Sequence, residues 1–227
     1  MATTVTTAGQ AATRAPGAPR AMTGWIKGHK RGAAYAAVVL GIAAALYGWN
    51  LLSAKTAERG AGRQLEQGRL ALESKNYPLA ASVLSQLVEN YSGTHAAEEG
   101  TILLTQVRLA QNQTQQAIEL LKRYAPGANK NFRAQAYGLL GAANENARRP
   151  KDAAQAYQAA ADAALYPFLR AQFFSDAGRA WLAAGDTAKA VASYRTIAER
   201  LDSTTAAGEA KVRLGELTKG TWEESKK

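Results

Sequence analysis

The chain of 227 residues contains no cysteine. Disulfides, thiolate nucleophiles and Cys-ligated zinc are thereby excluded, while the redox compartment stays open, because a cysteine-free chain tolerates either side of a membrane. Histidine is nearly absent. Its two copies, His29 and His95, flank a long apolar run and so are not expected to share a site. Acidic residues are missing from the front: residues 1–54 hold five Lys or Arg and no Asp or Glu, so the net charge of +10 falls to +5 for the remainder. No glycine-rich loop follows a strand, and no segment alternates as a strand should. The acid pairs Glu98-Glu99 and Glu223-Glu224 are sequence neighbours that diverge on a helix, as on a solvated surface. No catalytic residue, metal site, cofactor or small-molecule substrate is expected.

The first 31 residues are read as a disordered basic tail. Met1 to Ala21 is Thr, Ala, Gly and Pro with two Arg, too poor in apolar surface to offset its ordering entropy. Arg14 and Arg20 are too sparse for a nucleic-acid arm, and no nucleic-acid partner is expected.

Residues 32–54, GAAYAAVVLGIAAALYGWNLLSA, carry no charge. As a helix they reach about 34 Å, enough for a hydrocarbon core of about 30 Å. A single transmembrane helix is expected here, with Trp25, Tyr35, Tyr47 and Trp49 as interfacial aromatics. Lys27, Lys30 and Arg31 crowd the N-terminal flank, against Lys55, Arg59, Arg63 and Glu58 on the other, which places the N-terminus in the cytoplasm. The run is longer than a signal-peptide core, and Leu52-Ser53-Ala54 lacks a small residue three before the cut. Ala37, Gly41 and Ala45 form a small-residue stripe that would admit another transmembrane helix.

After a charged connection at residues 55–60, one spacing organises everything. A small residue recurs as Gly68, Thr105, Gly141, Gly178 and Gly215, at intervals of 37, 36, 37 and 37. A second series, Ala80, Ala117, Ala153 and Ala190, keeps the same step, as do the bulky residues Leu84, Leu121, Tyr157 and Tyr194 four positions later. Paired helices approach most closely where side chains are small, and the larger residue is expected to fill the gap toward the next unit. Turns at Lys75-Asn76, Gln111-Asn112, Arg149-Pro150 and Gly185-Asp186 split each unit into a helical hairpin. Residues 206–217 supply one more first helix, fit to cap the last apolar face, and the tail 219–227 is expected to be charged and frayed.

In the segment GRAWLAAGDTAKAVASYRTI and the residue before its helix face, Phe174, Gly178, Trp181, Ala190 and Tyr194 stand on the Trp, Gly, Tyr, Ala and Phe of the tetratricopeptide (TPR) pattern, which this segment resembles. The expected fold is all-α: a transmembrane helix, then an α-solenoid over 61–218 of about four divergent TPR-like hairpins and a C-terminal capping helix. The period exceeds the family's about 34 residues, and the insertions fall in turns. The resemblance implies a protein-binding groove on the first helices, lined by Arg69, Gln106, Gln135, Glu145, Asn146, Gln172, Ser175 and Arg179. These mixed polar groups suit an extended polypeptide better than a terminal carboxylate, for which no basic cluster is assembled.

The layout of tail, anchor ending in Tyr47-Gly48-Trp49-Asn50 and Ala-rich repeats resembles the bacterial YfgM family, ancillary to the SecYEG translocon. That resemblance implies an inner-membrane protein with periplasmic repeats that bind proteins in a chaperone-like way. The tail departs from it in lacking acidic residues. The alternative is a fixed accessory subunit of a larger membrane complex.

Overall fold

The structure, a computed structural model, describes residues 30–224. The readings made for the tail, including Trp25, Lys27 and His29, and for the last three residues lie outside the described residues, as does the side chain of Ala37. The described residues are helical throughout apart from short turns, with no strand. The chain divides into two compact units, residues 1–53 and 54–227.

Helix α1 runs over Lys30–Glu73. Its part within the first unit exposes Val38, Val39, Leu40, Ile42, Leu46, Leu51 and Leu52, together with Tyr35, Tyr47 and Trp49. Gly41 and Ala45 are exposed on it too. It is the one described helix long and apolar enough to cross a membrane, by length and composition.

The second unit begins at Ala54, so the residues read as a connection, 55–60, are helical and belong with the repeats. The Glu58 carboxylate accepts the His95 and Ala96 N–H groups at 3.2 and 3.1 Å, where a helix start leaves its N–H groups unpaired. Beyond α1 follow α2 (Tyr77–Asn90), α3 (His95–Ala110), α4 (Thr114–Tyr124), a 3-10 turn (Ala125–Gly127), α5 (Lys130–Asn146), α6 (Pro150–Ala163), α7 (Pro167–Ala183), α8 (Thr187–Arg200), α9 (Ala206–Thr218) and α10 (Thr221–Glu224).

Each first helix ends in the same way. Lys75, Asn112, Arg148 and Gly185 have left-handed φ values of 57°, 60°, 56° and 78°. The next N–H in each case returns to a carbonyl five residues back, as in Asn76 to Ala71 and Asp186 to Trp181, at 2.8 and 2.9 Å. That bond closes a Schellman turn and reverses the chain. The second helix starts at once, capped by Asn76 on the Leu79 N–H or by Asp186 on the Lys189 N–H, or opened by Pro150 with its φ already helical.

The two sequence series meet inside each hairpin. Ala80, Ala117, Ala153 and Ala190 are fully buried. A Cβ on Gly68 would stand 2.5 Å from Leu84, one on Gly141 2.5 Å from Tyr157, and one on Gly178 2.7 Å from Tyr194. The bulky residue therefore lies on the glycine of its own hairpin, and it packs toward the next unit as well: Tyr157 shares a core with Ala171 and Ala177, and Tyr194 with Ala207 and Ala210. Gly215 has no long second helix after it, and a Cβ there would meet nothing within 4 Å. The tail is also corrected, because residues 221–224 form α10 and Trp222 is buried in the terminal core with Leu214, Tyr194 and Trp181. Burying the indole takes a large apolar area out of water.

Candidate protein-binding face

First helices adjoin first helices along the solenoid, α3 beside α5 and α7 beside α9, while each second helix packs against the first helix that follows it. The eight polar residues expected in the groove all lie on first helices. Gln106, Gln135, Asn146 and Gln172 are exposed, and Ser175 is half-buried.

Three of the eight are engaged in ion pairs between repeats. Arg69 bonds the Glu99 carboxylate of α3 and lies 3.5 Å from Glu66 of its own helix. Arg179 of α7 bonds Glu145 of α5 at 2.6 Å and Asp176 at 3.2 Å. Glu145 in turn accepts the Tyr157 hydroxyl at 2.8 Å. Burial, and then this hydrogen bond to a carboxylate, push the Tyr157 phenol well above its usual range. Gln172 reaches the same cluster through Asp176, at 3.5 Å. The structure thus joins Glu145, Gln172 and Arg179, while Arg69 sits in a pair of its own. Exposed pairs of this kind contribute at most about 1 kcal/mol each, so their main effect is to register neighbouring first helices.

The seam between α5 and α7 is closed at one end by Arg179 and open at the other. The open part is a cleft of about 360 Å³. Its floor is apolar, made of Ala134, Gly138 and Leu139 from α5 with Leu169 and Phe173 from α7, and its polar rim is Asn131 and Gln135. Gly138 makes it possible: a Cβ there would stand 2.5 Å from the Phe173 ring. Of the eight residues only Gln135 lines this cleft, and the sequence reading missed the others. The available signal was a second glycine in α5, three before Gly141, facing Leu169 and Phe173 one helical turn apart. Among the described residues no group of His, Asp or Glu is arranged to hold a metal ion.

No family model matches the chain, and no curated protein matches it. Its similarity to solved structures is clear. A putative kinesin light chain of Podosopora anserina with nearly identical TPR-like repeats aligns with a TM-score of 0.54 and 17% identity, covering 75% of this chain and 90% of that one. MamA protein aligns with a TM-score of 0.51 and 19% identity, over 71% and 87%. The fold is a TPR-like solenoid. The likeness extends to the fold alone.

Proposed function

We propose that the chain is a membrane-anchored TPR scaffold that binds proteins on the periplasmic side of a bacterial inner membrane, in a chaperone-like way at the secretion translocon. The observation that carries protein binding is the continuous set of first helices with Gln106, Gln135, Asn146 and Gln172 exposed on them. Anchoring is supported by the exposed apolar side chains of α1 between Val38 and Leu52, which water would solvate poorly and lipid would cover. An anchor also confines the repeats near a membrane-bound partner and raises its effective concentration without new contacts. The periplasmic and translocon assignments rest on the charge flanks and on the resemblance to the YfgM family.

The test is photo-crosslinking of the full chain in cells, with the crosslinker at Gln106 or Gln172 on first helices, and at Gln86 or Lys122 on second helices. Protein adducts are expected from the first pair. Adducts from the second pair alone would move recognition to the outer face and withdraw the groove residues. Purification in mild detergent separates a transient adaptor, which emerges free, from a fixed subunit, which retains a stoichiometric partner.

A further inference from the structure

We propose that the hollow between the second helices α4 and α6, floored by α5, receives the arginine side chain of a partner protein. It lies apart from the first-helix face and does not depend on it. The residue three positions after each first-helix contact residue occupies this slot. In the second repeat it is Arg108, half-buried, with its guanidinium donating to the Gln116 carbonyl at 3.3 Å. In the fourth it is Trp181, buried, with the Lys189 ammonium 4.3 Å from its ring centroid. In the third it is Asn144, and this smaller side chain goes with a hollow of about 280 Å³. Both neighbours thus place a planar group and a positive charge where Asn144 supplies neither. The first repeat, at Ala71, has no second helix ahead of it to form the other wall.

The lining asks for a donor. Asn144 is 1% exposed; its Nδ2 donates to the Leu140 carbonyl at 2.9 Å, and its Oδ1 has no hydrogen-bond partner. A buried acceptor left so is costly, and a donor brought to the floor of the hollow relieves it. At the rim, Asp152 stands at the repeat position of Gln116 and Lys189, so this slot alone of the three carries an acid there. Gln155 adds a second acceptor and Tyr137 an aromatic side chain. A guanidinium offers five N–H donors in one plane and stacks on aromatic faces, which suits this set better than the compact ammonium of lysine. The volume is below the about 300 to 1,000 Å³ of small-molecule sites, so it fits one side chain borne on a longer chain.

Charge selects the residue beside the arginine. Lys122, on α4, is the one cation that lines the hollow, opposite Asp152 on α6. Among the described residues no ion pair engages either of them, with each other or with a third group. Asp152 therefore remains to meet the guanidinium, and Lys122 to meet an acidic neighbour of it. A second basic residue in the segment is repelled by Lys122.

The probe is the end-capped peptide Gly-Ser-Arg-Glu-Ser-Gly, titrated against the isotope-labelled full chain in detergent micelles at low salt and followed by NMR through the side-chain amide signals of Asn144 and Gln155. Both signals should move saturably. Affinity should fall at least tenfold when the arginine is replaced by citrulline, its uncharged isostere, and at least threefold when it is replaced by lysine or when the Glu is replaced by Lys. Asp152→Asn, at an exposed position, should weaken binding at least threefold with helicity and melting unchanged. Asn144→Arg should close the slot with the chain's own guanidinium, as Arg108 does one repeat earlier, and if that variant disturbs the fold Asp152→Asn still decides. Unmoved signals, equal binding of the citrulline peptide, or unchanged affinity in Asp152→Asn overturns the inference.

Discussion

Glycine at the contact position of a first helix is a matter of tenths of an ångström. Gly141 lies under the Tyr157 ring, and that ring is tied by its hydroxyl to Glu145, so it has little freedom to retreat from a new methyl group. Gly141→Ala should lower stability: overpacking costs about 1 to 3 kcal/mol, against at most about 1 kcal/mol regained in helix propensity. Gly215 occupies the same place in the repeat with open space above it, so Gly215→Ala should instead stabilise by up to about 1 kcal/mol. Urea melts of the two variants in the same detergent test this. The idea fails if both shift in one direction, since only the tertiary surroundings distinguish them.

Helices are held to their neighbours by small buried contacts and by polar links, among them the cluster around Glu145. Ala190 is fully buried where α8 meets α7, so Ala190→Trp should unfold the fourth hairpin, and an unchanged melting temperature would mean that the contact is not there. The Tyr157 hydroxyl links α6 to Glu145 of α5, and through it to Arg179 of α7. Loss of a hydrogen bond to a charged group costs about 1.5 to 3 kcal/mol, the range expected for Tyr157→Phe in denaturant melts. The same residue makes stability depend on alkaline pH. Its phenol ionises at higher pH in the folded chain than in the unfolded one, so the contribution is complete below about pH 10 and fades as pH rises beyond it. Tyr157→Phe should flatten that decline. Some slope should persist, because burial raises Tyr124 and Tyr194 as well. A wild-type slope in the variant would place the titrating group elsewhere.

At the scale of the whole molecule the decisive question is topology. The flanks of the apolar run predict a cytoplasmic N-terminus, and the proposed single crossing then predicts that the repeats lie outside. A reporter active only in the cytoplasm, fused after Lys227, should stay silent, while one active only outside should signal. The reverse pattern would place the repeats in the cytoplasm and end the translocon reading.

What the sequence determined by itself is whatever depends on neighbours close along the chain. The left-handed residues at Lys75, Asn112, Arg148 and Gly185 close turns from carbonyls five residues back, the Gly and Ala series sit 12 residues apart within a hairpin, and the apolar run needs only its own length. The tertiary structure decided what lies between repeats. Arg69 and Arg179 hold the same repeat position, each three residues after its own acid, Glu66 or Asp176, and the period predicts identical surroundings. Yet Arg69 turns forward to Glu99 of the following first helix, and Arg179 turns back to Glu145 of the preceding one. A long guanidinium arm takes whichever carboxylate the adjacent helix brings within reach, and that depends on where along its length the neighbour carries an acid. The cleft has the same origin. Gly138, Leu169 and Phe173 become one surface only when α5 and α7 lie side by side, with α6 between them in the chain.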